Sequence, residues 1–120
     1  MPFTPGRPLA EAKADLFRAL AHPGRIQIIE ALVEGEATVG QLASITGLEL
    51  SHLSQQLTIL RRTGLVASRR VASSVTCWLA IPQTNELLAV ARLMILHTLA
   101  DQQEQIAALM KSDDAAARSR

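Results

Sequence analysis

Hydroxyl and amide side chains are interleaved with leucines over residues 50–60 in a pattern that suits contact with nucleic-acid bases. Leu53, Leu57 and Leu60 are spaced four and three apart and would form the apolar face of a helix. The other faces would carry His52, Ser54, Gln55, Gln56 and Thr58. Serine and glutamine both donate and accept hydrogen bonds, as base edges in the major groove require. An ordinary amphipathic surface helix is the alternative interpretation.

The residues before this helix predict a second helix and a tight turn. An apolar face at helical spacing is formed by Val39, Leu42, Ala43 and Ile45. Gly47 can adopt the positive φ that ends such a helix. Leu48 can fill the angle between the two helices, and Ser51 can cap the second. Two short helices joined in this way form a helix-turn-helix, which places its second helix in the major groove of DNA.

Two short β-prone runs follow the second helix. They cover residues 65–70 and 75–79, and residues 71–74 can form the turn between them. Such a hairpin makes the motif winged. The predicted fold class is therefore mainly α with a small β-hairpin, a winged helix-turn-helix of about five helices and a two-stranded wing.

The distribution of charge strengthens the prediction of DNA binding. The whole chain carries a formal net charge of only +1. Residues 50–85 contain no Asp or Glu, and their four arginines are Arg61, Arg62, Arg69 and Arg70. This window is therefore +4 and the remainder is −3. A local positive field beside a candidate recognition helix suits contact with phosphates.

Composition limits the other classes of protein. A chain of 120 residues with 48% hydrophobic residues can form one domain with a real core. The single cysteine, Cys77, excludes an intrachain disulfide framework and a cysteine-rich zinc site. We expect it to pack, and alkylation, oxidation or a bridge between subunits is the alternative. No apolar run approaches the ~20 residues that span a bilayer, and no signal peptide is evident. We expect a cytoplasmic protein without membrane contact, and no residue set suggests an enzyme.

Composition also predicts the limits of the domain. Residues 1–8 hold three prolines and a glycine and indicate a flexible N-terminal arm. Helices are expected over residues 9–20 and 25–34, with Pro23 in the first turn of the second helix. The domain would cover residues 9–110. Residues 111–120 are expected to be a disordered tail.

A long helix over residues 84–110 predicts a dimer. Apolar side chains recur on it at steps of three and four, and the candidates for an interface are Leu88, Ala91, Ile95, Leu99 and Ile106. A helix of about 40 Å is too long for a small domain to cover, so a second subunit would bury its outer half. The first helix, through Leu9 and Leu16, is its expected companion. The alternative is a helix laid across a monomer core.

Three segments resemble the ArsR/SmtB family of winged-helix transcriptional repressors. FRALAHPGRIQIIEAL, at residues 17–32, is similar to the opening of that family. VGQLASITGLELSHLSQQLTIL, at residues 39–60, is similar to its helix-turn-helix, and RRTGLVASRR, at residues 61–70, to the start of its wing. The resemblance covers about residues 9–110, with the segments in the family's order.

This resemblance implies a homodimer that binds palindromic double-stranded operator DNA, usually represses, and is released by an effector. It implies that Gln55 and Gln56 contact base edges and that Ser51 and Ser54 contact phosphate or sugar, with His52 beside them. The four arginines would anchor the DNA backbone, although one of each pair could be structural. The wing tip lacks the family's glycine and arginine, so only Ser73 and its neighbour Ser74 could touch phosphates there.

The resemblance also directs a search for metal ligands. The family's cysteine site would fall at residues 38–40, which are Thr, Val and Gly. Its zinc site on the last helix would align with Ile81, Gln83, Met94 and His97, of which only the last is a usable ligand. His97, Asp101 and Glu104 share one helix face and form an alternative zinc, nickel or cobalt site.

We nevertheless predict no metal or other cofactor, because a histidine near acids on an exposed helix is common, and the effector is unknown. A regulator that keeps this fold but works only through protein contacts is a further alternative.

Overall fold

The computed structural model describes residues 5–118 and is mainly helical, as predicted. Within those residues the elements follow in the order α1 (Leu9–Leu20), α2 (Pro23–Val33), β1 (Ala37–Thr38), α3 (Val39–Thr46), α4 (Leu50–Arg62), β2 (Val66–Val71), β3 (Ser74–Leu79) and α5 (Gln83–Arg118). The fold is a winged helix-turn-helix. The chain divides into two compact units between Asn85 and Glu86.

The core of the first unit is aliphatic, since the chain has few aromatic residues. Its fully buried large side chains come from α2, α3, α4, the turn after α4 and β3, and they are Ile28, Ile29, Leu42, Leu53, Leu57, Leu60, Leu65 and Cys77. The three leucines of α4 lie among them, which confirms the apolar face that their spacing predicted. Ile45 of α3 is 62% exposed, so its predicted place on the inner face is wrong.

Local signals explain where α1 and α2 begin and end. Helix α1 has the predicted bounds, and α2 begins with Pro23, where a missing amide hydrogen costs little. The residue before it, His22, caps α2, because its Nδ1 accepts a hydrogen bond of 2.9 Å from the amide of Gly24.

The turn of the helix-turn-helix depends on one glycine. Helix α3 starts with a capping box in which Thr38 and Gln41 exchange side-chain and backbone hydrogen bonds. It ends at Gly47, whose φ of 73° is left-handed, as predicted. Helix α4 then starts at Leu50, and Glu49 occupies its N-cap position without a side-chain capping hydrogen bond. The prediction that Ser51 caps α4 is wrong, because Ser51 already lies inside the first turn.

We expect Gly47→Ala to lower the free energy of unfolding by about 1–2 kcal/mol, because an alanine at this positive φ is strained. The space around the site is open, so backbone strain alone sets the effect. Gly40→Ala is the matched control. Gly40 lies inside α3, and an added Cβ would meet only Thr38 Oγ1 at 3.9 Å, so helix propensity should stabilise that variant. Urea unfolding measures both variants. Equal changes in their free energy of unfolding would contradict the role given to the positive φ of Gly47.

The wing is larger than the sequence predicted. Strands β2 and β3 are antiparallel with Val66 opposite Leu79 and Val71 opposite Ser74, so the predicted hairpin is confirmed. A third strand, β1, pairs with β3 through Ala37 and Cys77. The sequence did not predict β1, since two residues are too short to show an alternating pattern.

Burial of Cys77 confirms its predicted packing role and controls its chemistry. Removal of the side chain from water raises the pKa of the Cys77 thiol, and the positive charge of Arg61 opposes this only in part. The thiolate is the reactive form, so native protein at pH 8 should react with iodoacetamide roughly tenfold or more slowly than urea-unfolded protein. The native rate should rise only at a pH above the usual range of thiols. Equal rates in the two states would refute this, and Cys77→Ser controls for other sites.

Helix α5 is longer than predicted. It continues to Arg118, whereas the sequence predicted that the domain ends at residue 110 and that a disordered tail follows. The residues beyond 110 include three consecutive alanines and no Gly or Pro, so helix propensity favours their inclusion. Of the predicted arm, residues 1–4 lie outside the described part of the chain, and residues 5–8 form a turn before α1. No helix over residues 5–118 is long and apolar enough to cross a membrane.

Candidate nucleic-acid interface

One face of α4 presents polar side chains to solvent. Ser51, Ser54 and Gln55 are exposed, as the sequence predicted. Thr58 is half-buried on the same side, and Arg62 is exposed one turn further along. Steps of three and four place these residues on one face, opposite the buried leucines. This face has hydroxyls and an amide at its centre and an arginine at its end.

Gln56 does not belong to that face. Its side chain is 7% exposed, and its Oε1 accepts a hydrogen bond of 2.8 Å from Arg25 Nη1 of α2. A buried amide already paired inside the protein cannot reach a base edge. The structure therefore contradicts the prediction that Gln56 contacts bases.

His52 also turns toward the protein. It is half-buried, and its ring meets that of His22 edge-on with centroids 5.5 Å apart. Positions 52 and 56 are one helical turn apart, so both side chains lie on the side of α4 that faces the start of α2. The prediction that His52 lies beside the DNA-contacting residues is corrected in the same way.

Arg61 is held at the junction of α4 and the wing. Its Nη1 lies 3.3 Å from Ser68 Oγ of β2, and its Nη2 lies 3.4 Å from Thr58 Oγ1. Thr58 in turn donates to the backbone oxygen of Ser54 at 2.9 Å. Thr58 and Ser68 therefore orient an exposed cation. Neither was predicted as a site residue, although Thr58 was placed on the polar side of the helix and lies one turn after Ser54.

A groove of about 490 Å³ joins α4, the wing and the start of α3. Its lining includes Ser54 and Arg61 of α4, Ser73 and Ser74 of the wing tip, and the first residues of α3. Four residues predicted separately to contact DNA are thus brought into one concave surface. The positive end of the α3 dipole adds to the charge of Arg61 there.

The two arginines of the wing point to opposite faces of the sheet. Arg70 shares a face with Ser68 and therefore lies on the side of Arg61 and α4. Arg69 lies on the other face, where its guanidinium sits over the ring of Trp78 at 5.7 Å. This contact gives Arg69, of the pair Arg69 and Arg70, a structural role. The candidate phosphate-binding cations beside α4 are then Arg61, Arg62 and Arg70.

The wing turn contains the one non-glycine residue with positive φ among residues 5–118, Ala72, at 55°. The exposed Ser73 beside it remains a candidate phosphate contact. Its place in the groove with Arg61 suits that role.

The candidate metal ligands converge only in part. His97 Nε2 lies 3.4 Å from Asp101 Oδ2, and both side chains are largely exposed. No group of three potential ligands comes together among the described residues, so Glu104 does not complete a site within one chain.

The predicted interface residues of α5 are exposed or half-buried. Ile95 is 60% exposed, Leu99 48% and Ile106 56%. Further large apolar side chains are exposed along the same helix, and they are Val90, Leu93, Met94, Leu96, Leu109 and Met110. In the first unit Leu9 is exposed and Leu16 half-buried. Exposed apolar area of this extent is typical of a surface that a partner covers.

The chain matches a family model described as bacterial regulatory protein, arsR family, over residues 22–68. It is 50% identical over 95 residues to the HTH-type transcriptional regulator Rv0081 of Mycobacterium tuberculosis, and the aligned region covers 78% of this chain and 83% of that protein. It is 36% identical over 113 residues to the transcriptional activator HlyU of Vibrio cholerae, and the aligned region covers 88% of this chain and all of that protein.

Solved structures agree with these matches. The crystal structure of Rv0081 superposes with a TM-score of 0.71 at 49% identity and covers 81% of this chain and 98% of that one. The transcriptional repressor BigR of Xylella fastidiosa gives 0.67 at 34% identity, over 71% and 87% of the two chains. The homodimeric winged helix-turn-helix DNA-binding domain of Mb0332 from Mycobacterium bovis gives 0.66 at 29% identity, over 80% and 94%.

Proposed function

This chain belongs to the arsR family of bacterial regulatory proteins and is a DNA-binding transcriptional regulator, and we propose that it acts as a homodimer that binds a palindromic operator and represses the adjoining promoter. The operator would be double-stranded DNA, and the protein would work in the cytoplasm, where such DNA lies. An effector would release it.

The exposed face of α4 is the single observation that carries the proposal of operator binding. Ser51, Ser54 and Gln55 are presented to solvent on a helix whose opposite face is fully buried. Gln55 is the candidate for a bidentate contact with a base edge, and the serines for phosphate or sugar contacts. Arg61, Arg62 and Arg70 supply the positive field around that face.

The apolar surface of α5 supports a homodimer. A helix of 36 residues is about 54 Å long, and it exposes isoleucines and leucines from Leu93 to Leu109. Two copies related by a two-fold axis would present two α4 helices to DNA, and half-sites about one turn, ~34 Å, apart would accept them. Mb0332, a structural relative, is a homodimer.

Repression is the sign of regulation that we propose. One structural relative is a transcriptional repressor and one sequence relative is a transcriptional activator, so the sign needs its own test. Deletion of the gene in its host should raise transcription from the bound promoter, and a fall would mean activation.

Binding of the purified protein to DNA upstream of its own gene tests the proposed function. Fluorescence anisotropy across a salt series should give tight binding that weakens as salt rises, and binding to a scrambled sequence should be at least about a thousandfold weaker. Equal affinity for both sequences at this site calls for a genome-wide selection of bound fragments. If that selection enriches no sequence, operator binding is overturned in favour of a regulator that works through protein contacts.

A metal-responsive form of the same function is the second candidate, and the His97–Asp101 pair is the observation behind it. The two-fold axis of a dimer could bring a second pair close enough to complete a site for zinc, nickel or cobalt. Equilibrium dialysis of the dimer against each ion tests this, and no binding below about micromolar concentration would discard it.

A further inference from the structure

One arginine of α2 joins the end of α1 to the middle of α4. Arg25 Nε donates to the backbone oxygen of Ala19 at 2.7 Å, and Nη2 donates to that of Arg18 at 3.3 Å. Its third nitrogen, Nη1, donates to Gln56 Oε1 at 2.8 Å. The planar guanidinium thus holds three acceptors from two helices in a fixed arrangement.

The contacts with α1 satisfy groups that a helix leaves unpaired. The last four carbonyl oxygens of a helix have no partner within it, and α1 ends at Leu20. Arg25 supplies a donor for the Ala19 oxygen and a second donor for the Arg18 oxygen, which also accepts the backbone N–H of Ala21 at 3.2 Å, and it places a positive charge at the negative end of the helix dipole. Any movement of the end of α1 would therefore stretch these bonds or move Arg25.

The contact with α4 fixes the rotation of that helix. Gln56 is buried, so its hydrogen bond to a charged donor is costly to break. One turn earlier His52 meets His22 on the same side of α4, which gives a second contact with the start of α2. Gln55 directly precedes Gln56 and lies about 100° away from it around the helix, so holding Gln56 inward directs Gln55 outward.

We propose that Arg25 is a positioning residue that couples the carboxyl end of α1 to α4, so that the aim of Ser54 and Gln55 at DNA depends on the position of α1. This proposal rests on the proposed function, in which α4 contacts the operator. Helix α1 also carries Leu9 and Leu16, two proposed interface residues. A displacement of α1 within the dimer would then reach the DNA-binding face through Arg25.

Operator binding by Arg25→Met, Gln56→Met and the double variant tests the coupling. Methionine keeps most of the volume of either side chain and removes the hydrogen bond. Each single variant should bind the operator roughly tenfold or more weakly than wild type, with little change on scrambled DNA. The double variant should be no weaker than the worse single variant, because both substitutions remove the same link.

Arg18→Met is the matched control. It removes an arginine side chain from the same end of α1, where Arg18 is exposed and pairs with Asp15. It should leave operator affinity within about twofold, because only the backbone oxygen of Arg18 belongs to the link. Should Arg25→Met fail to fold, Arg25→Lys replaces it, since lysine keeps the charge but cannot span three acceptors.

Urea unfolding of the same variants separates positioning from stability. A loss of unfolding free energy with unchanged preference for the operator would mean a purely structural role and would overturn the coupling. Independent, multiplicative losses of operator affinity in the double variant would overturn it too. The proposed function fails separately, if wild type itself does not prefer any operator, and the coupling proposal then falls with it.

Discussion

Gln55→Ala should weaken operator binding by roughly 5- to 150-fold and leave binding to scrambled DNA nearly unchanged. A bidentate contact between a glutamine and a base edge contributes about 1–3 kcal/mol to discrimination, and Gln55 is the exposed amide at the centre of the α4 face. Phosphate contacts, which set the affinity for scrambled DNA, would remain. The dependence of log affinity on log salt should therefore keep its slope.

Fluorescence anisotropy with both DNAs over a salt series measures this effect. Gln27→Ala is the matched control, since Gln27 is an exposed glutamine of α2 away from the α4 face, and it should bind as wild type does. A parallel loss on both DNAs would assign Gln55 to the backbone instead. Unchanged operator affinity would mean that α4 does not contact the bases.

Replacement of Leu99 by glutamate should dissociate the dimer and weaken operator binding by about 10²- to 10⁴-fold, because a monomer loses the second half-site contact that the dimer gains at high effective concentration. A carboxylate buried in an apolar interface has no partner and costs several kcal/mol. Ile95→Glu should act in the same way. Both positions belong to the exposed apolar surface of α5.

Sedimentation equilibrium and operator anisotropy measure the two effects on the same samples. Ala108→Glu is the control, since residue 108 lies roughly opposite Leu99 and Ile95 on the same helix and is exposed. It should stay dimeric and bind normally. A monomeric Leu99→Glu variant with full operator affinity would show that dimerisation is not required. A dimeric one would place the interface elsewhere.

Signals local in the chain determined most of the fold. Gly47 ends α3 because few other residues accept its φ of 73°, and Pro23 starts α2 because its ring suits the first turn. The spacing of Leu53, Leu57 and Leu60 gave α4 its buried face. Each of these effects acts within about one turn of backbone, so it can be predicted without knowing which other elements pack against the helix.

The tertiary structure alone decided which polar side chains of α4 face outward. Periodicity placed Gln55 and Gln56 around the same helix but could not tell which one has a partner inside the protein. The partner of Gln56 is Arg25, 31 residues away along the chain. The pairing of Ala37 with Cys77 likewise joins residues that are far apart in the sequence, so no local pattern predicts it. A polar residue is buried only when another element supplies its hydrogen bond, and that supply is a property of the packed fold.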